Sequence, residues 1–186
     1  MATDALLQVI RESFGRVLYT HKTHEKDRER LTFLGTVSKW ANICLSGLTF
    51  GGVTATVGTD EPFWLGASLV LATLSAAYAV FQLSFDPHKK AENHRAAAKQ
   101  LLVIRNQYVH LMADILEGIL TPDQIRARRD ELEKETADAF LVAPDTSDRA
   151  YRKAQKALQV DEDMTFGDEE LNMFLPTALA YTNPQT

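Results

Sequence analysis

Two long stretches of this chain lack charge entirely. Trp40 to Thr59 contains no Asp, Glu, Lys or Arg, and neither does Pro62 to Phe85; only Asp60 and Glu61 lie between them. A helix on the surface of a soluble protein mixes polar with apolar positions along its length, so neither stretch reads as one. Cysteine is nearly absent. Cys44 stands alone, which excludes an intramolecular disulfide and a cysteine-built metal cluster. An excess of positive charge is missing too. The net charge is −5 over 186 residues, whereas phosphate contacts need a basic surface, so nucleic acid is not expected as a direct ligand. Residues 1–39 carry charges throughout and offer no apolar segment of the kind a cleavable signal peptide requires.

Signatures of catalysis are lacking as well. There is no nucleophile elbow, no glycine loop shaped for phosphate, and no carboxylate pair in an apolar setting. The chain is read as a non-enzyme with no catalytic, cofactor-binding or metal-binding residues. His21 and His24 have i, i+3 spacing on a helix, but only Glu25 is near as a third ligand, so they are expected on a solvated face. His88, His94 and His110 share no helical face and read as surface or interface histidines.

What is present is length and apolarity. A helix needs about 20 mostly apolar residues to cross the hydrocarbon core, and both uncharged stretches reach that. The first, WANICLSGLTFGGVTATVGT, is rich in glycine and threonine; the second, PFWLGASLVLATLSAAYAVFQLSF, is more hydrophobic. Trp64 near one end and Tyr78 and Phe85 toward the other suit a headgroup belt. The short loop between the stretches forces an antiparallel hairpin. Lys22, Lys26, Arg28, Arg30 and Lys39 precede the hairpin, and Lys89, Lys90, Arg95, Lys99 and Arg105 follow it. Positive charge favours the cytoplasmic side, so both termini are expected there, with Asp60 and Glu61 outside.

Four regions follow: a charged helical region at 1–39, the hairpin at 40–85, a cytoplasmic helical region at 86–141, and a linker, short helix and acidic tail at 142–186. After the exit phrase DPHKK, a long helix is expected over 91–120. Leu101, Ile104, Tyr108, Leu111, Ile115 and Ile119 form one apolar row on it, and Ala98, Leu102, Val109, Met112 and Leu116 an adjacent one. Two rows are wide enough to meet more than one neighbour. Thr121 and Pro122 then start another helix, to about Phe140. A short helix is expected over Ser147–Leu158 and a small amphipathic piece over Asp168–Leu175. The last ten residues read as loosely ordered.

Within the hairpin, Gly47, Gly51 and Gly52 make a small-residue face for close helix association, either with the second span or with another subunit. Asn42, Thr49 and Gln82 are polar at membrane depth. An amide in hydrocarbon needs a partner or water, so these residues either bridge helices or line a narrow aqueous path. No acid or base is embedded, which argues against a pump or coupled transporter. At the exit, Lys89, Lys90, His94 and Arg95 form a motif where the chain meets headgroups. It either serves topology alone or attracts anionic lipid, at about 1 kcal/mol per cation.

The charged first helix, small-residue first span, very short loop, second span and phrase FDPHKKAENHRAAAKQL resemble the SLATT family, two-transmembrane effectors of bacterial conflict systems. The phrase is carried here by Phe85, Lys90, Ala91, Glu92, His94, Arg95, Ala97 and Ala98. The resemblance implies an antiphage effector of the inner membrane that oligomerises or opens when a cytoplasmic sensor signals. That sensor would be a nucleotide-producing enzyme or a reverse transcriptase. It supplies no catalytic residues to transfer. The expected fold is therefore all-α: an integral membrane two-helix hairpin flanked by long cytoplasmic helices. The expected partners are further copies of the chain, the lipid bilayer and the sensor. A non-conducting membrane-anchored scaffold and a soluble helical protein with a buried hairpin are the other readings.

Overall fold

The computed structural model describes residues 2–58 and 62–176, and every regular element among them is an α-helix. The acidic loop and the last ten residues, on which two of the expectations fall, lie outside the described residues. The helices are α1 (Ala2–Gly58), α2 (Pro62–Ser84), α3 (Pro87–Leu116), α4 (Pro122–Val142), α5 (Asp148–Gln159) and α6 (Asp168–Phe174).

The first helix is longer than its composition suggests. It runs unbroken for 57 residues, about 85 Å at 1.5 Å per residue, through the amphipathic start, the charged THKTHEKDRERL stretch and the uncharged run. It holds no proline, and the adjacent Gly51 and Gly52, which weaken a helix without breaking it, lie near its end. The second rod is α2 followed by α3. Asp86 interrupts it in extended conformation and caps α3, its carboxylate accepting the Lys89 N–H at 3.0 Å, with Pro87 in the first turn. Proline suits that position because its missing N–H would be unpaired there anyway.

The two rods run antiparallel. His24 of α1 meets His94, Gly35 meets His88, Ser38 meets Gln82, Thr49 meets Ser75 and Thr56 meets Ser68. As the α1 number rises, its partner's falls.

Below Pro87 the core is a three-helix bundle. Leu6, Ile10 and Val17 of α1 pack with Leu101, Ile104, Tyr108, Leu111 and Ile115 of α3 and with Ile125, Leu132 and Ala139 of α4. The α3 members step by three and four, and the α4 members by seven, the spacing of a left-handed supercoil. Ile119, expected at the end of that row, lies beyond α3 and is exposed. The turn out of α3 uses Gly118 at φ 69°, which places its N–H on the Ile115 carbonyl and the Ile119 N–H on that of Asp114. This pair of bonds closes a helix end and requires a left-handed residue, hence glycine. Thr121 and Gln124 then cap α4 reciprocally. The short α5 lies along α1, burying Ala150, Ala154 and Ala157.

Above Pro87 the pattern inverts. Trp40, Ile43, Leu48 and Phe50 of α1 and Phe63, Leu65, Leu69 and Phe81 of α2 point outward, and among the described residues there only the Ser68 side chain is buried. One helical stretch, Phe63–Leu116, holds a window long and apolar enough to cross a membrane by length and composition, with 6% of that window buried. The run ending α1 falls short of that measure, its glycines and threonines diluting it.

Candidate functional site

Small and hydroxylated side chains hold the two helices of the upper pair together. Gln82 donates to the Ser38 hydroxyl at 3.0 Å and to its carbonyl at 3.3 Å, and the Tyr78 hydroxyl lies 2.9 Å from that of Ser38. Thr49 lies 3.1 Å from Ser75 across the pair while donating to Leu45 in its own helix. Gly52 packs on α2 closely enough that a β-carbon there would sit 2.8 Å from the Ser68 hydroxyl. Gly47 and Gly51 have open space where a β-carbon would be. The three glycines therefore divide: Gly52 serves the pairing within the chain, and the other two do not. Thr49 and Gln82 bridge the helices, whereas Asn42 is half-buried and Gln82 turns to Ser38 rather than to it.

The exit motif divides too. Lys89, Lys90 and Arg95 are exposed, with the Lys90 ammonium 5.0 Å from the centre of the Phe85 ring. Arg95 pairs with Glu92 at 3.4 Å. His94 turns the other way and is buried.

Its burial leads to a cluster that the sequence reading placed in solvent. His21, Lys22, Thr23, His24 and Asp27 are all buried, because α3 covers one side of α1 here and α5 with its following segment covers another. Nδ1 of His24 lies 3.0 Å from Nδ1 of His94, and Nδ1 of His21 lies 2.8 Å from the Ala98 carbonyl, to which it must donate. Burial pushes the His24 pKa down to about 4, and a positive charge on His94 or His21 would push the same way against the opposing pull of Asp27. His94 is lowered by burial, again with Asp27 opposing. Both rings are thus neutral near pH 7.

Asp27 ties α5 to α1. Its carboxylate accepts the Ser147 N–H at 2.8 Å and the Ser147 hydroxyl at 2.7 Å, while Ser147 itself caps α5. Farther along, Lys22 reaches Glu25 at 2.9 Å and Asp163 at 2.6 Å. Burial works against its charge, but the hydrogen bonds to Asp163 and Glu25 outweigh that and raise its pKa. The Lys22 contact lowers that of Asp163.

A seven-residue repeat carried the signal for this cluster. Ile10, Val17, His24 and Leu31 recur every seven residues on α1, as do Pro87, His94, Leu101, Tyr108 and Ile115 on α3, and all are buried. The two histidines occupy core positions of one continuous repeat. Among the described residues, no group of three or more His, Cys, Asp or Glu is placed to hold a metal ion.

Over residues 6–170 the chain matches the model of SMODS and SLOG-associating 2TM effector domain family 4. The chain belongs to the SLATT family. No curated protein and no solved structure matches it. Membership makes this a membrane effector of the kind that serves defence systems and associates with SMODS and SLOG partner systems. SLATT domains are effectors of the two-transmembrane type and not a known enzyme family. The match covers the hairpin, the bundle and α5 alike.

Proposed function

We propose that this SLATT protein spans the bacterial inner membrane twice, with both termini cytoplasmic. Copies of it assemble into a pore, or disrupt the bilayer, when a cytoplasmic sensor signals infection. The observation that carries this is the inverted upper pair: apolar side chains outward, hydroxyls and an amide inward. In water, such a surface would exceed the few hundred Å² that monomers expose. In lipid it is the stable arrangement, and the inward polar groups satisfy one another.

Self-assembly draws on two further features. Gly47 and Gly51 present an open small face to a neighbouring helix. On α3 the core takes up the second apolar row only in part: Ala98 is buried and Met112 packs against the core, while Val109 and Leu116 are exposed and Leu102 is half-buried.

A second reading has one observation in its favour. Thr49 and Gln82 are already bonded inside one hairpin, which leaves them turned away from any path between copies and suits a closed resting state or a non-conducting anchor. Leakage of a small dye from liposomes carrying the purified chain together with its sensor separates the two. Release supports the pore, and intact vesicles with protein confirmed in the bilayer support the anchor.

A further inference from the structure

On α4 the three arginines find acids nearby: Arg126 pairs with Asp123, Arg128 with Glu131, and Arg129 with Asp130. α5 behaves differently. Arg149, Arg152, Lys153 and Lys156, at i, i+3, i+4 and i+7, share one face, and all are exposed. No ion pair joins any of them to a described residue. The helix presenting them is held firmly, by the Ser147–Asp27 bonds at its start, its alanine face on α1, and the 2.7 Å bond from Gln159 to the Tyr19 hydroxyl near its end. On the proposed topology the stripe stands off the bilayer: Asp27, beside the start of α5, lies thirteen positions before Trp40, about 20 Å along the helix at 1.5 Å per residue, and α5 runs from there farther away, toward Tyr19.

The same chain carries the opposite surface. Asp168, Glu169 and Glu170 are exposed at the start of α6, and Met173 and Phe174 beyond them are 74% and 78% exposed. This segment is not folded back along α5. Near the stripe, Tyr151 and Val160 are exposed apolar contacts.

We infer that the basic face of α5 receives the acidic and apolar segment 168–175 of a second copy, giving a head-to-tail cytoplasmic contact between subunits. The contact uses different surfaces on the two copies, so it propagates into a ring or a row rather than stopping at a dimer. The inference rests on the reading that the chain self-assembles, and it names the cytoplasmic surfaces that set the order.

The test uses two full-length chains with Cys44→Ser, co-reconstituted in liposomes. One carries Gln155→Cys and the other Met173→Cys, and a short bismaleimide links them. A cross-linked pair is expected. Arg152→Glu with Lys153→Glu on the first chain should abolish most of it, and Glu169→Lys with Glu170→Lys on the second should restore it. Helical content measured on every variant confirms folding. Equal yield in all pairings overturns the inference while leaving self-assembly standing. A link that forms only when both cysteines share one chain overturns it too. So does an unchanged link whose charge reversal instead abolishes binding of a fluorescent single-stranded oligonucleotide. Monomers alone in the bilayer overturn the assembly reading as well.

Discussion

Two neutral imidazoles meeting Nδ1 to Nδ1 need opposite tautomers, one donating and one accepting. His24 and His94 satisfy each other in this way inside the apolar repeat. Replacing one by leucine strands the other, and a buried unpaired polar group costs about 1–3 kcal/mol. Replacing both removes the need, so His24→Leu with His94→Leu should recover most of the loss in thermal unfolding. A double variant no more stable than the worse single one would show that the pair is not coupled. Acid should weaken the joint as well. The folded pKa of His24, about 4, lies below its ordinary 6.5, so between these values the unfolded chain binds protons that the folded chain refuses. Stability from this pair is fully present above pH 6.5 and declines as pH falls toward 4. The double leucine variant should show a shallower decline over that range. Residue identity alone hid this pair. Judged from His21 and His24 with their charged neighbours, the stretch reads as solvated, and only the period of seven continued from Ile10 and Val17 places His24 inside.

At the scale of elements, caps made two starts legible: Thr121 and Pro122 start α4 and Ser147 starts α5, each for a hydrogen-bonding reason written in a few residues. The third was missed: Asp86 and Pro87 start α3 four residues before the Ala91 expected, because the pair reads on its own only as a bend. What these elements pack against was not legible. α5 gains little from burying three alanines and depends on Asp27 for its first turn. Removing an N-terminal cap costs about 0.5–2 kcal/mol, and Asp27→Ala removes the partner of both Ser147 groups at once. Limited proteolysis should therefore cut first near residues 143–147 in Asp27→Ala, before α4 is touched; a wild-type cleavage pattern would contradict this dependence. The segment after α5 is shaped by a distant contact in the same way. Glu162 and Met164 have φ of 50° and 71°, flanking Asp163 where it reaches Lys22. Left-handed backbone at such residues persists only where the surroundings enforce it, so Asp163→Ala should raise amide exchange across 161–166 and leave α3 unchanged.

For the whole molecule, the gap in charge announced the helix pair whose apolar side chains face outward, and the periodic rows announced the bundle beneath it. The row from Leu101 to Ile115 is the core as expected. Sequence spacing could not say how the small residues divide between partners, because Gly47, Gly51 and Gly52 differ only in which way the helix turns them. If the hairpin spans the bilayer as proposed, a cysteine replacing Asp60 in a Cys44→Ser background should react with an impermeant maleimide in intact cells. One replacing Lys90 should react only after lysis. The reverse pattern would invert the topology.

The central claim, that assembly of this chain makes the membrane leak, is tested most directly by membrane potential. A voltage-sensitive dye would follow cells expressing the chain together with its sensor, beside Gly47→Leu and Gly51→Leu variants matched for amount in the membrane. The account predicts rapid depolarisation that both variants lose. A potential that holds steady with the wild-type chain confirmed in the membrane and the sensor active would contradict it.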